Sequence, residues 1–373
     1  MADFFDYLDW RGDLLFSQVP PNEVDCLIFS GLCYIDFDGV VPEGFCNAVT
    51  LVQAAEAFAG QPQRMDRVRV KNDLKLLQRC ARSPRFSQVR MLYYQNEFLP
   101  EEESQFAAVT FVLPDGTAVL SFRGTDDTLV GWKEDFNMSF RERVPAQEKA
   151  RYYTEAFASV HDCPLILCGH SKGGNLAVYA ASQCRSELRR RIGVIYNYDG
   201  PGFAPSMMTD AGYLETVPKV RTFIPESSVI GMLMEQEGDF QSVRSRQVSI
   251  MQHELYSWEI LGGQFVKADG MGQDAWHLSQ GIQTWLAGKS LQERNEFVDS
   301  MYELLSSGSV ERTSQLILPR NVLNYLRALN DDEEMRSMIR TEFGSLLQSV
   351  MRVRRKKTAP QLEAPAKEEK SRT

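Results

Sequence analysis

One short segment of the 373-residue sequence has the spacing of a nucleophilic turn. The segment GHSKGG at 169–174 contains the pattern Gly-x-Ser-x-Gly, follows the apolar run PLILC and precedes small residues at helical spacing. In a sharp strand-to-helix turn, a Cβ at position 169 or 173 would collide with neighbouring backbone, so both positions need glycine. Such a turn presents the serine hydroxyl at a helix N-terminus, whose partial positive charge favours an oxyanion. Ser171 is therefore the candidate nucleophile, and a purely structural turn is the alternative.

Four histidines are available to activate Ser171, because a serine hydroxyl is a weak nucleophile until an imidazole takes its proton. His161 precedes the apolar strand at its far end, and His170 lies inside the turn, where its side chain is expected to point away from a substrate. His253, in SIMQHELYSW, follows the predicted strand KVRTFIP and suits a base on a late loop. His277, in DAWHLSQGI, is predicted to begin a helix. We therefore favour His253 and keep His277 as the alternative base.

Two carboxylates could orient the imidazole, because each ends a predicted strand between Ser171 and His253. Asp199 ends GVIYNYD and opens a Gly-Pro-Gly turn, and Glu226 ends VRTFIPE. The chain order of nucleophile, acid and histidine fits either carboxylate. An Asp in such a turn can also serve only to cap its own backbone. The pattern favours Asp199 narrowly and leaves Glu226 as the alternative acid.

The oxyanion of a tetrahedral intermediate needs two hydrogen-bond donors, one from the residue after the nucleophile and one from an earlier strand-to-loop junction. Lys172 follows Ser171 and provides the first backbone N–H. The strand TAVLSF runs into Arg-Gly-Thr, where Thr125 could offer both its N–H and its hydroxyl. An ion pair between Arg123 and Asp135 could brace the same loop, which is compatible with an oxyanion hole formed by Thr125 and Lys172.

The elements around these residues alternate in a way that predicts an α/β fold. Apolar residues at helical spacing indicate helices within residues 20–60 and near 66–82, which form an N-terminal layer. Three short strands follow from about residue 88. A helix at 145–162 then leads into the buried strand, the turn at Ser171, a helix and a further strand. Repeated strand and helix units of this kind build a mostly parallel central sheet flanked by helices.

Three regions are predicted along the chain. Residues 1–290 form the main domain with its N-terminal helical layer, and residues 291–352 form a C-terminal helical extension. Residues 353–373 are charged, contain proline and lack aromatics, which predicts a disordered tail. The basic start of this tail could make transient contact with an anionic membrane surface, although a solvated tail is the simpler interpretation. The loop 200–218 fits either a lid or an ordinary cover on the core, through Phe203, Met207, Met208 and Tyr213.

Composition narrows the class of protein. The formal net charge of −9 argues against a nucleic-acid binder, which concentrates basic residues. The seven cysteines form an odd set without metal-type spacing, which favours buried free thiols in a reducing cytoplasm. The N-terminus lacks the basic and apolar character of a signal segment, and no apolar run is long enough to span a membrane. We expect a cytoplasmic protein without metal or organic cofactor, whose oligomeric state the sequence leaves open.

The segment FRGT followed by Trp and Asp, with GHSxGG downstream, resembles the class 3 (fungal-type) lipases. The longer pattern resembles a bacterial family of lipase-like α/β-hydrolases of unknown function, through NEVDCLIFSGLCYIDF, GHSKGGNLAVYAA, YNYDGPGF, FIPESSVIGMLMEQ and MQHELYSW. That resemblance covers residues 20–350. It implies the α/β-hydrolase fold, with Ser171 as the nucleophile and Thr125 in the oxyanion hole.

Two departures from the lipase pattern bear on the substrate and the acid. The class 3 lipases usually have a hydrophobic residue after the nucleophile, whereas this chain has Lys172, and a charge beside the serine counts against an apolar acyl pocket. The lipase acid follows a later strand, near which only IPESSVIG stands in this sequence. The choice of Asp199 therefore rests on strand order alone.

Together these features predict a serine hydrolase that cleaves carboxylic esters, including lipid or other acyl esters, through an acyl-enzyme intermediate. Its substrate would be a small-molecule or lipid ester. A thioesterase or peptidase would use the same residues, because the chemistry of acyl transfer is shared. The alternative from another class is an inactive hydrolase-like protein that serves as a binding scaffold.

Overall fold

The computed structural model describes residues 2–61, 68–126, 128–138, 141–306, 325 and 330–356. Within that part of the chain, eight strands form one sheet in which neighbouring strands follow one another in chain order. They are β1 (Val49–Thr50), β2 (Arg90–Leu99), β3 (Ser104–Val112), β4 (Ala118–Phe122), β5 (Leu165–His170), β6 (Ile192–Tyr198), β7 (Val220–Pro225) and β8 (Phe240–Val243). A separate hairpin is formed by β9 (Ile260–Leu261) and β10 (Gln264–Phe265).

Thirteen helices are found among the same described residues. They are α1 (Phe4–Arg11), α2 (Glu23–Leu32), α3 (Leu51–Ala59), α4 (Lys71–Arg82), α5 (Pro84–Ser87), α6 (Leu129–Met138), α7 (Pro145–Val160), α8 (Lys172–Gln183), α9 (Ser186–Arg191), α10 (Ala211–Thr216), α11 (Gln273–Ala287), α12 (Leu291–Ser306) and α13 (Glu333–Lys356).

The central sheet is mixed. β1 to β4 pair antiparallel, and β4 to β8 pair parallel. The short turns between β2, β3 and β4 account for the first half, since connections of a few residues join antiparallel strands, whereas parallel strands need a crossover. The predicted α/β architecture of a central sheet flanked by helices is therefore confirmed. The prediction of parallel pairing holds only for the part of the sheet from β4 to β8.

Both faces of the sheet are covered, because side chains along each central strand point alternately to opposite sides. On β5, Ile166 and Cys168 pack into a core beneath the N-terminal helices. Leu165 and Leu167 of the same strand pack into a second core with α7 and α8. This two-sided burial explains why the strand reads as a continuous apolar run, as expected for a strand covered on both faces.

A buried ion pair fixes the N-terminal helical layer. Arg85 Nη2 lies 2.5 Å from Asp25 Oδ2, and both side chains are fully buried. The Arg85 guanidinium also donates to the carbonyl oxygens of Leu14, Val19 and Pro20, and Tyr7 OH donates to Asp25 Oδ1. These bonds compensate the buried charges and tie α1, α2 and α5 together, which a layer of short helices needs.

The C-terminal helices form a small layer of their own. Trp285 on α11 packs against Phe297 and Val298 on α12, and α13 packs along α11. α12 and α13 begin within the region 291–352, which was predicted to be helical. Residues 353–356 continue α13, so the prediction of a disordered tail is wrong for its first four residues, and positions 357–373 lie outside the described residues. In the part of the chain that the structure describes, no helix combines the length and apolar character needed to cross a membrane.

Two further expectations can be compared with the packing. In the loop 200–218, Phe203 and Tyr213 are buried and their rings pack together at 5.5 Å, so these two aromatic side chains belong to the core. All seven cysteines are free, and five of them are buried. Cys46 is exposed and Cys163 is half-buried, so the prediction of buried thiols is wrong for these two.

Candidate active site

The turn between β5 and α8 holds Ser171 in a conformation that few non-glycine residues adopt. Its φ is 59° and its ψ is −134°, and its N–H donates to the Tyr198 carbonyl oxygen. A Cβ built on Gly169 would lie 2.1 Å from the Gly173 carbonyl oxygen, and a Cβ on Gly173 would lie 2.1 Å from that of Phe122. Both glycines are therefore required by close backbone approach, and the turn presents the serine at the start of α8.

His253 lies next to Ser171 in space although 82 positions separate them in the chain. It ends the short 3₁₀ segment Ser249–His253, and its Nε2 is 2.9 Å from Ser171 Oγ. Its Nδ1 is 2.6 Å from Asp199 Oδ2. A carboxylate only accepts, so Nδ1 carries the proton and the free Nε2 lone pair faces the serine hydroxyl.

Asp199 is fully buried and holds its orientation through several bonds. It follows β6 with a φ of 54°, a left-handed conformation that Asp tolerates better than most residues. Its Oδ2 accepts from Ser228 Oγ at 2.6 Å as well as from His253, and its Oδ1 accepts from the Gly231 N–H at 3.0 Å. These donors compensate the buried negative charge and aim the carboxylate at the imidazole.

A second histidine, His170, contacts the backbone of His253. His170 Nε2 lies 2.8 Å from the His253 carbonyl oxygen, and His170 Nδ1 lies 2.9 Å from Tyr34 OH. Burial, and to a smaller extent the neighbouring His253, hold the pKa of His170 well below its usual range. The ring is therefore neutral with its single proton on Nε2, where it donates to His253, while Nδ1 accepts from Tyr34. His170 thus points away from the serine hydroxyl, as expected, and contacts the loop that carries His253.

The loop that carries His253 is also held by a cluster of three charged side chains. Arg69 lies 3.2 Å from Glu254 and 3.2 Å from Asp73, and its guanidinium stacks over the Tyr34 ring at 4.3 Å. Tyr256 OH donates to Asp73 Oδ1 at 2.5 Å. The first turn of α4 and the segment before it therefore hold the residues that follow His253. Hydrogen bonds to charged groups are stronger than those between neutral groups.

Thr125 and Lys172 lie on either side of the turn, at the end of β4 and the start of α8. Neither backbone N–H donates a hydrogen bond to another residue in the described part of the chain, so both can donate to an oxyanion. Thr125 Oγ1 donates to Asp135 Oδ2 at 2.5 Å, which directs the hydroxyl proton to Asp135. Burial raises the pKa of Asp135 to about 6, against the opposing effect of Lys172.

The side chain of Lys172 does not present its charge beside the nucleophile. Its Nζ lies 2.7 Å from Glu134 Oε2 and 2.9 Å from the Gln105 carbonyl oxygen, and both charged side chains are 1% exposed. Glu134 in turn accepts from the backbone N–H groups of Gln105 and Ala146. The prediction that Lys172 places a charge beside the nucleophile is therefore wrong, because Glu134 neutralises the ammonium in the interior.

The expected ion pair between Arg123 and Asp135 is also wrong. Arg123 Nη2 lies 3.9 Å from Asp126 Oδ2, a weak contact three positions along the chain. Asp135 instead accepts from the Thr125 hydroxyl, and its other oxygen is buried without a hydrogen-bond partner among the described residues. The loop is thus braced through Thr125 itself, which sequence spacing alone did not distinguish.

The alternative residues lie elsewhere. Glu226 follows β7, and its backbone carbonyl accepts from the Gly272 N–H. His277 is buried on α11 with its ring against Trp276, and His161 stacks on Phe157. The residues that the structure brings together are Ser171, His253 and Asp199. Among the described residues, no cluster of three His, Cys, Asp or Glu side chains could hold a metal ion.

The residues that orient this arrangement were not predicted from the sequence. Ser228 follows Glu226 closely in the chain, yet it donates to Asp199. Tyr34 and Arg69 carried no local signal, because their contacts with the His253 region span long distances in the chain. The adjacent serines in IPESSVIG were the one clue, since a buried hydroxyl after a strand end needs a partner.

The chain is therefore an α/β protein with an eight-stranded sheet and a candidate nucleophilic site. Ser171 and Asp199 follow the parallel strands β5 and β6, and His253 reaches them from a loop after β8. The chain belongs to the Mbeg1-like family, whose family model matches residues 80–303. No functionally curated protein matches the sequence.

Comparison with solved structures finds two lipase-type similarities of low score. The native propeptide complex of the Rhizomucor miehei lipase is 12% identical, with a TM-score of 0.33, over 48% of this chain and 71% of its own. A mutant form of MDLA from Penicillium cyclopium is 10% identical, with a TM-score of 0.38, over 65% of this chain and 84% of its own. Both TM-scores are below 0.5, so the architecture rests on this chain's own strands and helices.

Proposed function

We propose that this chain is a serine hydrolase with the α/β-hydrolase fold, which cleaves carboxylic esters through an acyl-enzyme intermediate. The observation that carries the proposal is the pair of hydrogen bonds at His253, 2.9 Å from Nε2 to Ser171 Oγ and 2.6 Å from Nδ1 to Asp199 Oδ2. A nucleophile, a base and an acid bonded in this order are the arrangement that acyl transfer needs.

In the first step, Ser171 Oγ attacks the ester carbonyl carbon while His253 Nε2 takes the hydroxyl proton. The carbonyl electron pair moves onto oxygen and forms a tetrahedral oxyanion. Asp199 stabilises the imidazolium through the bond to Nδ1. Collapse of the intermediate re-forms the carbonyl and expels the alkoxide, which takes the proton from His253 and leaves as the alcohol.

The oxyanion would be stabilised by the backbone N–H groups of Thr125 and Lys172. Support for this role comes from their freedom to donate and from the N-terminus of α8, whose partial positive charge lies beneath Ser171. In the second step, His253 removes a proton from water, the resulting hydroxide attacks the acyl carbon, and Ser171 Oγ leaves and recovers its proton.

Two observations favour an ester with an apolar acyl group. Val248 and Met251, shortly before His253 in the chain, are 74% and 58% exposed. Lys172, which would repel an apolar chain if its charge faced the substrate, is bound to Glu134 in the interior. Exposed apolar side chains beside a base offer contact area to an acyl chain, since burying apolar surface is favourable.

The proposal is tested by hydrolysis of p-nitrophenyl esters of increasing chain length, with thioester and peptide substrates run in parallel. We expect ester turnover that improves with chain length and is lost in Ser171→Ala. Ser186→Ala, which removes an exposed serine on α9, is the matched control and should retain activity. Preference for the thioester or the peptide would reassign the reaction, and no turnover of any acyl substrate would favour a binding scaffold.

A further inference from the structure

Helix α13 packs one half-buried face against the rest of the protein. A Cβ built on Gly281 of α11 would lie 2.4 Å from Val350 Cγ2, so the two helices approach closely at that point. Glu342 accepts from Trp285 Nε1 at 3.2 Å and from Lys289 Nζ at 2.7 Å. These contacts fix which side of α13 faces the protein and leave the opposite side to solvent.

The side of α13 away from α11 carries a line of large apolar side chains. Phe343, Leu347 and Met351 are 49%, 63% and 43% exposed, and Phe343, at the inner edge of this line, also places its ring 6.3 Å from that of Phe297 on α12. Residues four positions apart lie on the same face of a helix, so the three side chains form one stripe about 12 Å long. Three exposed large apolar residues in a row are uncommon on a protein surface without a partner, whereas scattered single residues are ordinary.

Arginines extend this stripe at both ends. Arg336 and Arg340 precede it on the same face, and Arg354 and Arg355 follow it. From Gly344 to Lys356 the sequence contains no acidic residue, and Glu342 is turned inward towards Lys289. Arg354 lies 3.7 Å from Asp274 of α11, and both side chains are strongly exposed, so this ion pair is a weak surface contact. A chain with a net charge of −9 thus concentrates positive charge around its exposed apolar stripe.

We propose that this face of α13 docks on an anionic lipid surface, lying in the plane of the interface. Phe343, Leu347 and Met351 would enter the boundary between headgroups and acyl chains. The flanking arginines would bind lipid phosphates while their aliphatic stems cover apolar surface. Each arginine near an anionic leaflet adds attraction, whereas three apolar side chains alone give only weak, reversible binding.

A lipid surface fits these residues better than a partner helix does. In a coiled coil, the apolar residues recur at alternating spacings of three and four over several heptads. Phe343, Leu347 and Met351 are instead spaced four residues apart twice in succession. The next positions of the same face on either side are arginines, Arg340 and Arg354, which would place charge in a helical seam. An anionic membrane interface accommodates both groups, because it offers apolar depth and phosphate charge side by side.

The test is flotation of the full-length protein with lipid vesicles. We expect binding to vesicles that contain phosphatidylglycerol, little binding to pure phosphatidylcholine, and weakening by added salt. The double substitution Leu347→Ser with Met351→Ser should lower the affinity on the order of tenfold. Arg340→Gln with Arg355→Gln should lower it by about tenfold or more.

Two control variants test whether a loss of vesicle binding is specific to α13. Leu261→Ser removes a side chain that is 78% exposed on β9, and Arg185→Gln with Arg190→Gln removes two exposed charges near α9. Both should bind vesicles as the unmodified chain does. Leu347→Trp provides a second readout, since lipids brominated on their acyl chains should quench its added fluorescence.

Four results would overturn the proposal. They are an absence of binding to anionic vesicles, equal binding to neutral vesicles, α13 variants that bind like the unmodified chain, and a lipid-free dimer that Leu347→Ser dissociates. The last result, measured by sedimentation equilibrium, would assign the face to a second copy of the chain. Ser171→Ala should bind vesicles normally, so this outcome is independent of the proposed hydrolase activity.

Discussion

His170 and His253 are joined by a hydrogen bond from a side chain to a backbone, 2.8 Å from His170 Nε2 to the His253 carbonyl oxygen. The residue before the candidate nucleophile therefore holds the loop that carries the candidate base. Tyr34 completes the connection by donating to His170 Nδ1. A neutral histidine thus supports the position of His253 beside Ser171 through a bond to its backbone.

Replacing His170 by alanine should lower kcat for ester hydrolysis by up to about 100-fold with little change in KM, because a base displaced by even 1 Å reacts poorly while substrate contacts remain. Steady-state kinetics with a p-nitrophenyl ester measure both constants. Tyr34→Phe, which leaves the His170 bond to His253 intact, should have a smaller effect in the same direction. A His170→Ala enzyme with unchanged kcat would contradict this positioning role.

Replacing Asp199 by asparagine should lower kcat on the order of 10⁴-fold, because the amide cannot stabilise the imidazolium and favours the wrong tautomer of His253. Glu226→Gln is the matched control at the other strand end. It should leave kcat within a few-fold of the unmodified enzyme, since His253 bonds Asp199. If the two effects were reversed, Glu226 would be the acid in solution.

The raised pKa of Asp135, about 6 in the folded protein, predicts a dependence of stability on pH. The folded state binds more protons at this carboxyl than the unfolded state does, so its contribution to stability is present at low pH and is lost as the pH rises towards 6. Asp135→Asn does not titrate. The free energy of unfolding of this variant, relative to the unmodified chain, should rise with pH by on the order of 3 kcal/mol.

Urea unfolding at a series of pH values measures the difference in unfolding free energy between Asp135→Asn and the unmodified chain. Both proteins contain the same other ionisable groups, so the contributions of those groups largely cancel. Thr125→Val gives a second check. The Thr125 hydroxyl donates to the carboxylate and thereby lowers the pKa of Asp135. Its removal should raise that pKa further, so the pH-dependent loss of stability should extend to higher pH. A difference between Asp135→Asn and the unmodified chain that stays flat with pH would contradict the prediction.

Replacing Arg85 by alanine should lower the free energy of unfolding by about 3–5 kcal/mol, because it leaves the Asp25 charge buried without its partner. Arg79→Ala is the matched control, since Arg79 pairs with Asp9 at the surface, where an ion pair contributes about 1 kcal/mol or less. Denaturant unfolding of both variants measures the two costs. Similar small losses would show that Asp25 is compensated by its remaining donors.

Local rules were sufficient to predict the turn at Ser171 and the strands around it. The glycines at 169 and 173 follow from backbone clearance, and the buried strand before them follows from its apolar run. Strand order also indicated that Asp199 and His253 would approach Ser171, and the structure brings these side chains together, although their catalytic role stays a prediction.

What sequence could not predict depends on contacts between distant parts of the chain. Lys172 was expected to place a charge beside the nucleophile, and only the packing of α6 behind the turn brings Glu134 to its ammonium. The antiparallel half of the sheet is a local feature instead, since short turns join β2, β3 and β4. No local sequence pattern predicts the hydrogen bonds that Ser228, Tyr34 and Arg69 make around the site.

The central claim is that Ser171 is an activated nucleophile, and covalent labelling by a fluorophosphonate probe tests it most directly. Intact-mass spectrometry followed by peptide mapping should find a single adduct, on Ser171, that is absent in Ser171→Ala and strongly slowed in His253→Ala. An unlabelled folded protein, or an adduct on another residue, would contradict the proposal that the Ser171, His253 and Asp199 arrangement performs acyl transfer.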